Sequence, residues 1–591
     1  MTAETGNQTQ SLGNSTGKPL PSYAHCPHEK PLLGETIPQC FKRIAALYPD
    51  KEAVVSVHQN RRFTYAEMDR IVDHAAGSFY AMGIRKGDRV AIWSTNSYEW
   101  WVTQFATARI GAILVNINPA YRTHELEYVL KESRAKALCL IETFKTSNYV
   151  EMFYQICPEA KSAEPGQIDS WRFPHLKSVV MIGSEKYPGM FNTREFVKIG
   201  PESEAERLGD GAADLDIDDV VNIQYTSGTT GFPKGVLLTH NNILNNGYFT
   251  SLEMGMRPDD RLCVPVPFYH CFGMVLSNLV TLTAGATLVI PAPIFDPKST
   301  LEAVQKEKCT VLHGVPTMFL AELEHPDFGQ YDLTTLRGGI MAGSLCPIDT
   351  MRRVISLMHM EKVVIGYGQT ECSPIATLTR PDIPLEKQVS TVGTVAPHEE
   401  LKVIDPVTRR TVPRGEQGEI CFRGYHVMRG YDNNPEATAE TIDREGWLHS
   451  GDLGVMEPDG YVKITGRLKE MVIRSGENLF PREVEEFIRG FEIVYDVYVV
   501  GVPDKKYGEE LLACVKLRPE AKAPTEEEWK GMCKGKIAHV KIPRYWLVVD
   551  DFPMTVTGKI QKFKLAEWGA NKLGLTEQEG DQRGHNLPYQ E

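Results

Sequence analysis

Short apolar runs alternate with amphipathic stretches from about residue 35 to residue 465. RVAIWS (89–94), AILVNI (112–117), KALCLI (136–141) and SVVMIG (178–183) are rich in β-formers. Between such runs, YAEMDRIVDHAAGSFYAMG (65–83) spaces its apolar residues as one face of a helix does. This alternation predicts layered α/β structure with mainly parallel sheets. Residues 157–175 carry prolines and charges and read as a surface insertion. After about residue 390 the segments shorten to GTVAP, LKVID, GEICFRG and DGYVKITGR, which predicts a small β-rich subdomain. A boundary is expected in GRLKEMVIRSG (466–476). Beyond it, PREVEEFIRG and EEEWKGMCKGKI read as helices and VYDVYVVGVPD as a strand, the makings of a small α+β domain.

One stretch is long and uncharged enough to suggest a membrane span, Cys271 to Phe295. Ser277, Asn278, Thr281, Thr283 and Thr287 interrupt its apolar character, and Gly285, Pro291 and Pro293 break its continuity. A buried helix, a glycine turn and a buried strand at ATLVI (286–290) describe it better.

At 591 residues the chain exceeds one hydrophobic core, so at least two domains are expected. Its net charge of −13 argues against general nucleic-acid or anionic-membrane binding. The twelve cysteines show no CxxC and no metal-ligand spacing, so free thiols are expected rather than a disulfide framework. Residues 1–30 read as a disordered tail. There is no arginine before Arg43 and no apolar signal core, which disfavours a mitochondrial transit peptide and a secretory signal. The terminal Pro588-Tyr589-Gln590-Glu591 is not a peroxisomal tripeptide. Lys18 and His25 have the spacing of an N-terminal peroxisomal signal, with Pro19 and Cys26 where aliphatic residues are usual. The expected compartment is the cytoplasm or an organelle lumen, with the peroxisome ahead of the mitochondrion.

The chemistry concentrates in YTSGTTGFPKG (225–235). Thr226, Ser227, Thr229 and Thr230 interleave with Gly228 and Gly231, and Lys234 closes the run. Glycines let the backbone approach a polyphosphate, while hydroxyls, amides and a lysine offer donors to its oxygens. Val221, Ile223 and Tyr225 alternate with Asn222 and Gln224, as on a strand with two unlike faces, and Thr239 before NNILNN reads as a helix start. It is not a Walker loop, because Gly235 follows the lysine, nor is it GxGxxG. A second run is GYGQTE (366–371). Tyr367 offers a face on which adenine can stack, Thr370 can donate to an α-phosphate, and Glu371 beside a triphosphate makes sense as a Mg²⁺ ligand. In HSGDLG (449–454), Asp452 can accept two hydrogen bonds from a ribose diol.

These runs resemble the signatures of the adenylate-forming (ANL) enzymes, which comprise acyl-CoA synthetases, peptide-synthetase adenylation domains and luciferases. The resemblance extends over roughly residues 35 to 570. GIMAGS, KIPRY and GKIQKFKL place it nearest the medium-chain, acyl-CoA synthetase family member 2-like group. It implies a large AMP-binding domain at 31–466, a hinge at 467–470, a small mobile C-terminal domain at 471–570 and a polar tail at 571–591. It further implies that Thr226 to Gly231 and Lys234 hold the β- and γ-phosphates, and that Asp452 and Arg467 hold the ribose. Lys559 would contact the α-phosphate and carboxylate, where a desolvated cation stabilises developing charge. Lys469 matches the hinge about which the small domain turns, bringing Gly476 to the pantetheine tunnel. Lys534, Lys536 and Lys541 are candidates for CoA phosphates. His270 would lie by the acyl carboxylate, with Gly338, Gly339, Ala342 and Gly343 leaving room and Met318 and Met341 as adaptable walls.

The implied reaction is ATP-dependent ligation of an aliphatic carboxylic acid, medium-chain or fatty, to CoA through an acyl-AMP, with Mg²⁺. Its partners are small molecules: carboxylate, ATP and CoA. The alternatives are loading of a carrier protein in trans, or action on a hydroxy acid such as mevalonate. No serine follows Leu565, so no carrier site exists in cis within this sequence. Luciferase-like oxidation shares every motif, whereas a silent nucleotide-binding scaffold would need neither Lys559 nor Glu371.

Overall fold

The structure is a computed structural model and describes residues 19–200, 214–226, 233–344, 346–474, 477–554 and 560–575. It divides into two compact units. The second comprises Gln417–Glu419, Gly451–Val455 and Ile464–Glu591, and the first comprises the rest.

The first unit contains two large sheets. One has eight strands, in the order Phe191–Asn192, Ser178–Met181, Ala137–Leu140, Arg89–Trp93, Ile113–Asn116, Val220–Thr226, Lys234–Thr239 and Gly430–Tyr431. Its first six strands run parallel, each neighbour to the next, and the last two turn antiparallel. The four apolar runs are its inner strands, and helices such as Tyr65–Ala81 alternate with strands along the chain, as the alternation predicts. Thr64 starts that helix by accepting from the Glu67 amide while Glu67 reaches back, a capping box that satisfies two otherwise orphaned donors.

The second sheet has nine strands and is parallel from Glu52–Ser56 to Lys362–Gly368 through Thr287–Ile290, Arg261–Cys263, Val311–Leu312 and Gly338–Ala342. The uncharged stretch from Cys271 runs as helix to Ala284, turns at Gly285 (φ 64°) and enters the buried strand Thr287–Ile290. Among the described residues no helix is long and apolar enough to cross a membrane.

Residues 157–175 differ from the sequence expectation. Cys157, Ala160, Ile168 and Phe173 are buried in the core of the eight-stranded sheet, together with the stacked pair Trp93–Tyr149 (centroids 3.5 Å). The prolines and charges occupy the outer positions of a segment whose apolar residues face inward. From residue 394 the chain is rich in strands, as expected, but they do not shorten: Tyr23–His25 pairs antiparallel with Glu399–Ile404, and Gln417–Gly424 and Leu448–Met456, at eight and nine residues, are longer than Arg89–Trp93 or Ile113–Asn116.

The second unit has a sheet in which Val494–Asp504 pairs along its length with Gly508–Leu517, which also pairs with Tyr545–Val548. Helices Pro481–Arg489 and Glu526–Cys533 bury Val484, Ile488 and Trp529 in its core, where Trp529 stacks on Trp546 (4.8 Å). All twelve cysteines are free thiols, eleven of them buried.

Candidate active site

Two antiparallel strands close the base of the Gly/Ser/Thr loop. Thr226 stands opposite Lys234 and Tyr225 opposite Gly235, and Thr226 Oγ1 donates to the Lys234 carbonyl at 3.5 Å. The strand's polar face is buried, and Asn222 Nδ2 donates to Leu114 O (2.9 Å) and Asn116 Oδ1 (3.0 Å). Directly after the second strand, Thr239 caps helix His240–Glu253 by accepting from the Asn242 amide (3.2 Å), and Asn242 Oδ1 accepts from the Thr239 amide (2.9 Å). A strand before the loop and a capped helix start after it thus stand where the sequence predicts them. Ser227, Gly228, Thr229, Thr230 and Gly231 lie outside the described residues, as do Gly476 and Lys559.

Lys234 does not stand alone. Its Nζ lies 4.9 Å from the centroid of the Tyr431 ring, and the Tyr431 hydroxyl donates to Glu371 Oε1 at 2.8 Å. Burial, and then the neighbouring Glu371 carboxylate, push the Tyr431 phenol well above its ordinary range, so it stays a protonated donor. One aromatic side chain therefore bridges the loop lysine and the acid of the second motif. Sequence reasoning missed Tyr431. It occupies a two-residue strand, Gly430–Tyr431, too short to show any periodicity.

Glu371 and Thr370 lie in a short 3₁₀ turn, Thr370–Cys372, that follows strand Lys362–Gly368. The two glycines of GYGQTE are set by packing. A Cβ on Gly368 would collide with the Pro374 carbonyl, and one on Gly366 would press on Ile375 Cδ1 at 2.6 Å. These glycines answer to the close return of the next strand, Ile375–Leu378. Tyr367 is half-buried, its ring 6.2 Å from that of Phe422. Glu371 is half-buried too, and its oxygen donors suit a hard cation such as Mg²⁺.

Thr370 Oγ1 lies 3.8 Å from Cys271 Sγ, which brings the second motif beside the segment that carries His270, FYHCFG (268–273). Burial pushes the Cys271 thiol up to about 12, which keeps it protonated. His270 caps the helix that follows: its Nδ1 accepts from the Phe272 amide (3.1 Å), so the proton of the neutral ring is on Nε2. The acyl-pocket glycines need correction. A Cβ on Gly338 or Gly339 would strike the Lys362 or Leu312 carbonyl, so their smallness serves strand packing. Met341 is fully buried in the core of the nine-stranded sheet. His313, missed in the sequence, is fully buried with its ring 5.6 Å from that of Phe272 and its Nδ1 3.4 Å from Ser277 Oγ.

In the second unit, Arg467 Nε and Asp452 Oδ1 form an ion pair at 2.8 Å, with the aspartate buried and the arginine exposed. Lys469 is exposed in the 3₁₀ turn Leu468–Glu470. Of the lysines considered for CoA phosphates, Lys534 and Lys536 are exposed, whereas Lys541 is paired with Glu483. The structure therefore unites Thr226, Lys234, Glu371, Thr370 and His270 in one unit, and Asp452, Arg467 and Lys469 in the other.

Comparison with known proteins identifies the family. The chain matches the AMP-binding enzyme family over residues 41–432 and the AMP-binding enzyme C-terminal domain over residues 483–559. It is 50% identical over 536 residues to a Bacillus subtilis (strain 168) protein named as an acyl-CoA synthetase, YngI, covering 91% of this chain and 97% of that one. It is 44% identical to the medium-chain acyl-CoA ligase ACSF2, mitochondrial, of Danio rerio, covering 94% and 91%. Among solved structures, the anthranilate CoA ligase AuaEII in complex with anthranoyl-AMP superposes with a TM-score of 0.79 at 25% identity, covering 93% and 99%. ATP-bound MatB from Rhodopseudomonas palustris gives 0.74 at 29%, covering 90% and 98%. The chain belongs to the AMP-binding, adenylate-forming enzyme family, as an AMP-forming acid–thiol ligase of the acyl-CoA synthetase kind that uses ATP and CoA.

Proposed function

We propose that the acid is aliphatic and of medium chain length, and that the residues assembled around Tyr431 carry the first half-reaction. The observation behind this reading is the line Lys234–Tyr431–Glu371, in which a cation, a phenol and a carboxylate occupy adjoining positions. Chain length is inferred from the ACSF2 relatives, which are named for medium-chain acids.

In this reading, the substrate carboxylate attacks the α-phosphorus of ATP and pyrophosphate departs. Lys234, with Thr226 and the loop residues to Gly231, holds the departing phosphates. Thr370 donates to an α-phosphate oxygen, and His270 presents its Nε2 proton toward the acyl carboxylate. Glu371 would hold Mg²⁺, which when bound draws negative charge from the triphosphate oxygens. Tyr431 keeps the Glu371 carboxylate in place beside the lysine. Tyr367 stacks on adenine, and Asp452 and Arg467 bind the ribose. Lys559 supplies the cation at the α-phosphorus, and rotation about Lys469 then exchanges it for the Gly476 turn, so that the CoA thiol displaces AMP.

The peroxisomal expectation finds no support, and we propose the mitochondrion instead, where the ACSF2 relatives are named. A tagged chain that co-fractionates with peroxisomes would reverse this.

The functional test is a pyrophosphate-release screen with CoA across C2 to C20 acids, including hydroxylated and aromatic acids. The reading requires the highest kcat/KM among medium-chain acids; a maximum at a hydroxy or aromatic acid overturns the substrate class. Lys559→Ala should slow adenylate formation by about a hundredfold or more while sparing thiolysis of supplied acyl-AMP. Equal rates in both halves would defeat the division of labour.

A further inference from the structure

Residues 425–432 form a strap that ties the phosphate-loop strand to Glu371. On one side, the amides of Arg429 and Asp432 donate to Leu237 O (3.0 Å) and Gly235 O (2.7 Å), and Tyr431 pairs with Val236. On the other, the Met428 amide donates to Glu371 O at 2.9 Å, and the Tyr431 hydroxyl holds the Glu371 carboxylate. The position of Glu371 relative to Lys234 is thus the position of this strap.

The strap begins at a buried polar pair. Glu399, the first residue of strand Glu399–Ile404, and His426 are both fully buried, with Glu399 Oε1 3.3 Å from His426 Nδ1. Their four side-chain oxygen and nitrogen atoms find no well-aligned hydrogen bond elsewhere among the described residues, and the Tyr425 hydroxyl adjoins the same carboxyl. Burial drives the Glu399 carboxyl well above its usual range and the His426 imidazole down to about 3, so both are neutral. A neutral acid next to a neutral imidazole pairs most strongly with the carboxyl O–H donating to the ring nitrogen. That bond is directional, and failing to make it leaves buried polar groups unpaired. The backbone around His426 is clamped as well. Ser373 Oγ donates to His426 O (2.7 Å), and Asn242 Nδ2 donates to the carbonyls of Tyr425 and Val427. Gly424 (φ 149°) lets the chain pass, for a Cβ there would lie 3.2 Å from His426 Nδ1 and 3.3 Å from Glu399 Cα.

We propose that Glu399 and His426 are positioning residues for the adenylation step, acting through the strap to hold Glu371 at its metal-binding station. The inference rests on the reading of Glu371 as a Mg²⁺ ligand and goes beyond it, since neither residue belongs to the motifs that mark the nucleotide site.

The experiment measures Mg²⁺ dependence of pyrophosphate release, thiolysis of supplied acyl-AMP, and thermal stability in the full-length chain. Glu399→Leu should raise the half-saturating Mg²⁺ concentration about tenfold, as loss of a metal ligand's support does, and leave thiolysis unchanged. Glu399→Gln, whose amide donates to the same ring nitrogen, should remain within about twofold of the parent and reports even where the leucine variant fails to fold. The double variant Glu399→Leu/His426→Leu removes both partners and should regain thermal stability without regaining Mg²⁺ affinity. Return of both would make the pair a packing feature and overturn the proposal, as would a Glu399→Gln variant as impaired as the leucine. Glu371→Gln is the reference: if it leaves the Mg²⁺ dependence unchanged, the reading of Glu371 fails on its own account.

Discussion

Glu371 in the first unit and Lys562 in the second are both ionisable side chains set into the protein, and they are held in opposite ways. Glu371 is fixed by a phenol that donates to its carboxylate and by a strap of backbone hydrogen bonds. Lys562 is fixed by charge: its Nζ lies 2.8 Å from Glu485 Oε1 and 2.9 Å from Glu470 Oε2, with only 18% of the side chain exposed. Glu470 directly follows Lys469 in the turn expected to act as a hinge. Directional hydrogen bonds from neutral donors fix geometry and respond little to salt, whereas an ion triad holds firmly only while every member keeps its charge. The unit proposed to hold the phosphates and the acyl carboxylate uses the first device at Glu371, and the unit expected to move uses the second at Lys562.

The largest effect that can break this comparison is at Lys562. Burial alone pulls its pKa down, but Glu485 and Glu470 carry it above the ordinary lysine value. Lys562→Met leaves Glu485, whose side chain is 7% exposed, without its cation and should cost about 3–5 kcal/mol in denaturant unfolding, followed through Trp529 and Trp546. The sign of the pH dependence follows from the raised pKa. The contribution is complete below the unfolded lysine value of about 10.4 and is lost as pH rises through the folded value. The gap between parent and variant should therefore be constant from neutral pH to about pH 10 and narrow above it. A gap that widens on going alkaline would mean that the triad is not what stabilises the unit.

Next in size is the acid itself. Glu371→Gln keeps the shape and one acceptor but removes the charge, and should slow adenylate formation on the order of a hundredfold, with a matching rise in the Mg²⁺ requirement. Thiolysis of supplied acyl-AMP should be spared. Tyr431→Phe sharpens the point at lower cost. It removes only the hydroxyl that anchors Oε1 and keeps the ring under Lys234, so a loss of about tenfold is expected, in kcat more than in KM for ATP. If Tyr431→Phe matched Glu371→Gln, the phenol would be a group that touches substrate rather than one that positions the acid.

The sequence reveals the parts of the molecule that repeat a period or concentrate unusual residues. The four apolar runs became inner parallel strands, and the uncharged stretch from Cys271 became helix, turn and buried strand, because period and β-branching report burial directly. Thr226, Lys234 and Glu371 were visible because glycine, hydroxyl and acid are crowded together around them. Tyr431, His313, Glu399 and His426 were not, because each is a single residue whose importance comes from a neighbour distant in sequence, 60 residues in the case of Tyr431 and Glu371. The glycines misled for a related reason. Gly338, Gly339, Gly366 and Gly368 signal a close approach, but the sequence does not say whether ligand or backbone approaches, and here a carbonyl or side chain of a neighbouring strand does. In 157–175, prolines and charges dominated the count while four inward apolar residues decided the placement.

The smallest effect concerns Asp452 and Arg467, which test whether a charge pair in the second unit supports the fold or the ligand. The aspartate is 5% exposed but the arginine 44%, so water and salt screen the pair, and its stability is worth about 0–1 kcal/mol. Asp452→Asn should thus shift thermal unfolding very little, and raising ionic strength should erase even that. A ribose diol asks for more than charge: the carboxylate accepts from both hydroxyls, whereas the amide of asparagine can accept through only one oxygen. The same variant should therefore raise KM for ATP about tenfold at any salt concentration, because the lost bond is to a charged acceptor. A KM that moves with salt while binding at low salt stays unchanged would assign Asp452 to the ion pair alone. A salt-independent rise assigns it to the nucleotide, with Arg467 keeping the carboxylate oriented while it waits.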